Sequence, residues 1–424
     1  MSRPLASVVI PAHNYGRYLA AAVESALGQT YAPLEVIVVD DGSTDDTAQI
    51  LRGFAGRVRA LRLEGRGVAA ARNAGLFAAE GEYVLFLDAD DLLLPEGVAH
   101  LARHLQEHPD ADAAYGLWYQ CDTRLRRAFI VRSPIRDGPV LPRLFLGNIV
   151  ATPSAMLLRR RELVAAGGFD RDLAFTADWE MWLRLARRGC TFGAVPRPVA
   201  VYRIHARSMS GDPARASRDV WSVLDRYFSE PTLPRSIAGA RPDAYYNMGL
   251  YLAKLHLEQG DQDGAVAQLR TALAHRPDRA ASLGLYYYLA RAIRRHAQLS
   301  GTPGPDGVAD ATLALAERLP AAGLPNSAER PALVYLAAGL MLRHAGEYRA
   351  ALRCLGAALR LSPRVAAAPR HIPVIVRICV PPGLAAAKGV LRRRPRAALP
   401  PLVATALAAE DARHPAARIP AGAE

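Results

Sequence analysis

The stretch YVLFLDADDLLLP, residues 83–95, decides the fold. Four apolar or aromatic residues, Val84 to Leu87, run straight into Asp88, Asp90 and Asp91. A short apolar run of this kind predicts a strand buried in a parallel sheet. Carboxylates at the carboxyl end of such a strand sit where open α/β sheets bind ligands. Three acids in four residues repel one another, which costs stability unless a cation or hydrogen bonds offset it. Hard oxygen donors suit Mg2+ or Mn2+, ions that usually hold substrate phosphates as well. A solvated acidic turn with a helix cap before Pro95 is the plainer alternative.

The residues on the amino-terminal side extend this pattern. Ser7 to Ile10 reads as a strand ending at Pro11, and Tyr18 to Leu27 as a helix. Leu34 to Val39 is a second strand, closed by Asp40, Asp41 and a Gly-Ser-Thr turn. Val58 to Leu63 is a third, and GRGVAAARNAGL from Gly65 opens another helix. Strands alternating with helices indicate βαβ units and an α/β class. Right-handed crossovers then bring the strand ends to one edge. Pro11 to Asn14, Asp40-Asp41 and Asp88-Ala89-Asp90 would line one crevice there. Acids after two strands, with a polar turn after the first, point to a ligand; the alternative for Asp40 and Asp41 is capping and turn formation. A dinucleotide site needs GxGxxG after the first strand, but PAHNYG stands there. A P-loop is also absent.

Composition bounds the rest. The 424 residues are 51% hydrophobic and 22% charged, enough for two or three domains with sizeable cores. The net charge of +13 admits nucleic acid, anionic membrane or phosphorylated substrates. No aromatic-rich basic motif accompanies it, so nucleic acid is not expected. Cys121, Cys190, Cys354 and Cys379 form no CxxC pair, which fits reduced thiols in a cytoplasmic protein. No uncharged apolar run reaches the roughly 18 residues of a membrane span, and the N-terminus lacks a signal peptide's apolar region. The expected location is the cytoplasm, with peripheral placement at the inner face of the membrane as the variant.

At this point the chain resembles a family 2 glycosyltransferase of the GT-A fold. The resemblance rests on SVVIPAHN (7–14), VDDGSTD (39–45), GVAAARNAG (67–75), FLDADD (86–91), GGFD (167–170), DWEMWLRL (178–185) and YRIH (202–205), in that order. It covers about half the chain. It implies metal-dependent transfer of a sugar from a nucleotide diphosphate sugar to an acceptor hydroxyl, with inversion. The acceptor would be a glycan, a lipid-linked sugar or a protein, and UDP-sugars are the default donors. Pro11, His13, Asn14 and Ala89 then belong to the nucleotide-sugar site. Asp41 would contact the base with Asp40 beside it, and Arg72 would lie near the nucleotide. Asp88 and Asp90 form the DxD motif, with Asp90 the direct ligand of Mg2+ or Mn2+ and Asp88 nearer the ribose. His205 is a candidate to complete the metal shell.

Breaking the sugar–phosphate bond builds charge on the leaving diphosphate, which a divalent metal stabilises. The acceptor hydroxyl is a poor nucleophile, so a carboxylate should take its proton. Asp178 is the candidate base. It falls in the first turn of a helix, where Trp179 can desolvate it and raise its pKa. Glu180 is a weaker candidate, turned about 200° away around the helix. No QxxRW motif or membrane helix accompanies the site, so one sugar per encounter is expected.

Residues 229–241 read as a linker after a 1–228 transferase domain. Beyond it, Gly260, Ala265, Leu269, Ala272 and Pro277 match Gly346, Ala351, Leu355, Ala358 and Pro363 at a constant offset. The pattern resembles the tetratricopeptide repeat and predicts an all-α domain over 242–363. Such a domain supports the fold or holds a protein partner. Residues 364–424 form a basic Ala/Pro/Arg-rich tail, a candidate for peripheral contact with anionic lipid. The rival from another class is a non-catalytic nucleotide-sugar-binding scaffold acting through its helical repeats. Intact Asp88, Asp90 and Asp178 favour the enzyme.

Overall fold

The computed structural model describes residues 3–121, 129–131, 140–150, 152–205, 212–300, 304–319, 329–366 and 368–379. They divide into two compact units, with the boundary between residues 205 and 212.

The first unit carries nine strands: β1 (Ala6–Ala12), β2 (Leu34–Asp41), β3 (Arg59–Leu63), β4 (Tyr83–Phe86), β5 (Leu92–Leu93), β6 (Ala113–Cys121), β7 (Phe129–Val131), β8 (Met156–Arg159) and β9 (Phe192–Arg203). Its helices are α1 (Gly16–Leu27), α2 (Thr47–Arg52), α3 (Val68–Ala78), α4 (Gly97–Glu107), α5 (Leu141–Leu146), α6 (Arg160–Ala165) and α7 (Ala177–Arg187). The strands form one sheet in the order β3-β2-β1-β4-β8-β6-β9-β5, with β7 paired to β6. From β3 to β4 every pairing is parallel, as the βαβ pattern predicts. β8 then runs antiparallel to both β4 and β6, which makes the sheet mixed.

Burial explains the order. β1 and β4 are buried at every residue, as central strands covered on both faces must be. β3 is the edge, and its arginines Arg59 and Arg62 are exposed, which blunts pairing with another chain. The leucines after the acidic turn return to the sheet as β5. Leu92 and Leu93 pair antiparallel with Val201 and Ala200 of β9. That pairing carries the end of β9 to the acidic turn.

The second unit is all helical: α8 (Pro213–Phe228), α9 (Arg235–Ala238), α10 (Arg241–Glu258), α11 (Gln262–His275), α12 (Leu283–Ser300), α13 (Val308–Glu317), α14 (Arg330–His344), α15 (Tyr348–Leu361), α16 (Pro363–Ala366) and α17 (Ile372–Cys379). The two matching sequence segments become two helical hairpins, α10–α11 and α14–α15. Both turn through a left-handed glycine, Gly260 at φ +78° and Gly346 at φ +88°. The aligned Ala265, Leu269 and Ala272, and Ala351, Leu355 and Ala358, are all buried. Between the hairpins lie α12 and α13, which join the same core. The domain limits differ from the expected ones. Residues 213–228 group with the helical unit, and the expected linker contains α9. Two of their prolines mark helix starts: Pro213 is the first residue of α8, a position where a missing N–H costs nothing, and Pro234 is the N-cap of α9. The basic stretch 383–394 lies outside the described residues. Among the described residues no helix is long and apolar enough to cross a membrane.

Candidate functional site

The carboxyl ends of β1, β2 and β4 meet on one edge, and their loops are stitched together. Asn14 adopts φ +59°, a conformation asparagine tolerates better than most residues. Its backbone N–H donates to Ser43 Oγ at 2.9 Å, and its Oδ1 accepts the Thr44 N–H at 2.8 Å. The His13 ring takes a 2.7 Å bond between Nδ1 and the Asp41 carbonyl, so Nδ1 carries the proton. Pro11 is buried within β1.

Asp40 and Asp41 are both buried, at 2% and 4% exposure, and both are engaged by the protein itself. Asp40 accepts the Ser43 N–H at 2.8 Å and pairs with Arg62. Asp41 accepts the Arg66 N–H at 2.8 Å and the Gly67 N–H at 2.6 Å, which secures the loop entering α3. Turn formation and loop anchoring, the plainer reading of this pair, is what their visible bonds do.

The three acids after β4 have separate sets of partners. Asp88 Oδ1 accepts from Arg72 Nη2 at 2.7 Å. Burial raises the Asp88 pKa, while Arg72 opposes the rise. Asp90 Oδ2 lies 2.8 Å from His205 Nε2. The His205 ring stacks on Tyr18 at 5.1 Å, and Arg203 lies over the same Tyr18 ring at 4.7 Å. Asp91 accepts the hydroxyls of Thr152 at 2.9 Å and Ser154 at 2.7 Å, and the Arg203 N–H at 3.1 Å. Burial, then repulsion from Asp90 and Asp88, pushes the Asp91 pKa well up. Asp91 therefore ties the acidic turn to the end of β9, and Arg203 Nε reinforces the tie by donating to the Asp90 carbonyl at 2.8 Å. Ala89, between the two motif acids, is buried.

The expected trio of Asp88, Asp90 and His205 does not come together as one cluster. Among the described residues no group of three or more His, Cys, Asp or Glu is arranged to hold a metal. Asp88 is engaged instead by Arg72, a buried guanidinium. The Asp90–His205 pair remains, one carboxylate and one imidazole. That donor set fits a divalent ion that completes its shell with water and phosphate oxygens.

Asp178 lies in the first turn of α7, half-buried. Its Oδ1 accepts the Trp179 N–H at 2.7 Å, and its Oδ2 accepts from Asn148 Nδ2 at 3.3 Å. Burial pushes its pKa up to about 6, against the pull of Arg72; Asp88 adds to the rise. Glu180 is buried and paired with Arg184 at 2.8 Å, and Arg184 Nη2 donates to the Gly168 carbonyl at 2.8 Å. Through Arg184 it shapes the loop at Gly168. Gly168 has φ +76°, and a Cβ there would fall 2.4 Å from Asn73 Oδ1. Asn73 in turn accepts the Phe169 N–H at 2.7 Å and donates to its carbonyl at 2.8 Å.

Tyr18, Thr152, Ser154 and Asn148 belong to the site but carry no sequence signature. Their partners are far along the chain, 30 residues away for Asn148 and 63 for Ser154.

A mixed sheet with acids at the ends of its parallel strands is the arrangement of a GT-A nucleotide-sugar domain. A family model described as glycosyl transferase family 2 matches residues 7–167. Glycosyltransferase GlyG of Streptococcus pneumoniae is 43% identical over 122 residues, 28% of this chain and 40% of that one. The uncharacterized protein MT1568 of Mycobacterium tuberculosis is 31% identical over 261 residues, 56% of this chain and 80% of that one. Among solved structures, residues 1–349 of Staphylococcus aureus TarS align at a TM-score of 0.46 and 17% identity, over 84% of this chain and 92% of that one. The chain belongs to glycosyl transferase family 2. It spans 27% to 59% of the length of four curated relatives.

Proposed function

We propose that this chain transfers a sugar from a nucleotide diphosphate sugar to an acceptor hydroxyl, with inversion, in the assembly of a polysaccharide or glycoconjugate. The observation that carries the reading is Asp178. A carboxylate with its pKa pushed up to about 6 is ionised at neutral pH yet basic enough to take a hydroxyl proton in the transition state.

The other groups fit the donor. Arg72 is buried, and its Nε has no hydrogen-bond partner among the described residues. A buried unpaired donor beside a carboxylate is suited to an incoming anion such as a diphosphate. Asp90 and His205 would hold Mg2+ or Mn2+, which supplies Lewis-acid stabilisation of the leaving diphosphate. Asp91, Tyr18 and Arg203 keep that pair in register. His13, with Nδ1 committed to the Asp41 carbonyl and its ring exposed, offers a face on which a base can stack. A single in-line displacement needs one base and gives inversion.

The test is turnover of a panel of nucleotide diphosphate sugars by the wild type and by Asp178→Asn. The variant should bind the donor as the wild type does and lose about 10²-fold or more in turnover, the usual contribution of a general base. Undiminished turnover in Asp178→Asn would remove the base assignment.

A further inference from the structure

We propose that Asn148 is a positioning residue: its carboxamide aims the Asp178 carboxylate and favours its ionised form. The inference rests on the reading of Asp178 as the base.

The geometry of the amide is unambiguous. Asn148 Oδ1 accepts the Val150 N–H at 3.1 Å, which only the carbonyl end of the amide can do. The NH2 end therefore faces Asp178, and Nδ2 donates to Oδ2 at 3.3 Å. The other carboxylate oxygen is held by the Trp179 N–H. One oxygen is thus fixed from α7 itself and the other from the loop after α5. The helix leading into that loop is anchored as well, because Trp179 Nε1 donates to the Leu144 carbonyl of α5 at 2.7 Å. Neighbouring residues on α7 are therefore joined to the 144–148 segment through two side chains.

The choice of an amide has a chemical consequence. Two charged groups bear on Asp178 from other elements: Arg72 of α3 favours its ionised form, and Asp88 after β4 disfavours it. Burial alone would hold this carboxylate further towards its protonated form. A lysine or arginine in place of Asn148 would overcorrect, because a contacting cation makes the carboxylate a weak base. A neutral donor stabilises the anion by less and leaves it basic.

The experiment uses the full chain with aspartate labelled at the side-chain carboxyl carbon. The Asp178 signal is assigned by its loss in Asp178→Asn and followed by NMR across pH. In the wild type it should titrate with a midpoint of about 6. In Asn148→Ala the midpoint should rise by about one unit, the loss expected for one hydrogen bond to a charged group. Asn148→Asp, nearly isosteric, should raise it further by adding a second carboxylate, and it serves if the alanine variant does not fold. The acid limb of donor turnover should move with the NMR midpoint, leaving KM for the donor unchanged. A folded Asn148→Ala or Asn148→Asp whose Asp178 midpoint stays at the wild-type value overturns the proposal and leaves the base reading intact. A wild-type midpoint in the ordinary carboxylate range overturns both.

Discussion

Replacing Asp178, the proposed base, should make the protein more stable while it removes activity. The Asp178 pKa rises from the ordinary 3.8 to about 6, chiefly because burial penalises the charge. Such a group is protonated in both folded and unfolded chains below pH 3.8, and it then costs nothing. As pH rises from 3.8 to about 6 the unfolded chain releases the proton and the folded chain keeps it, so stability falls. Above pH 6 the penalty is complete. A shift of about 2.2 units at about 1.4 kcal/mol each gives a penalty of about 3 kcal/mol at pH 7 and about 1.6 kcal/mol at pH 5. Asp178→Asn removes it. The new amide can still accept the Trp179 N–H but meets the Asn148 NH2 with a donor or a poorer acceptor, so the net gain at pH 7 should be about 1–3 kcal/mol. Urea unfolding followed by tryptophan emission reads this. Three of the four tryptophans, Trp118, Trp179 and Trp182, lie in the sheet-bearing unit. The gain should be larger at pH 7 than at pH 5. A variant less stable than wild type at pH 7, or a difference flat across that range, would refute the argument that burial sets the pKa.

Two further outcomes follow from the same contacts. Donor turnover should lose about tenfold per unit of pH below about 6, because only the ionised Asp178 takes the proton; a rate flat down to pH 5 would contradict this. Gly168→Ala meets both a left-handed backbone and Asn73 Oδ1 at 2.4 Å, so it should cost about 1–3 kcal/mol by denaturation and lower turnover through the displaced Phe169 loop.

Local periodicity made the parallel half of the sheet legible. Ser7–Ile10, Leu34–Val39 and Val58–Leu63 overlap β1, β2 and β3, because short buried strands between turn residues leave a strong pattern. The acids of 88–91 were legible as the carboxyl end of a buried strand for the same reason. Their division of labour was not. Asp88 goes to Arg72, Asp90 to His205 and Asp91 to Thr152 and Ser154, and each choice depends on pairings distant in sequence. The two-residue strand β5, which brings β9 to the acids, is too short to leave a period. Likewise α8 has an amphipathic pattern that does not say which unit it joins. The two hairpins were legible as part of an all-α region because their turn glycines and buried alanines recur at one spacing.

The central claim is that Asp90 and His205 hold a divalent ion that binds a nucleotide diphosphate at this edge. Calorimetric titration of the wild type and Asp90→Ala with a panel of nucleotide diphosphates, in Mn2+ and then in EDTA, tests it most directly. Binding of one nucleotide, lost in EDTA and in Asp90→Ala, is the predicted result. Binding of no nucleotide in the presence of Mn2+, or binding equally tight in EDTA and in Asp90→Ala, would contradict it.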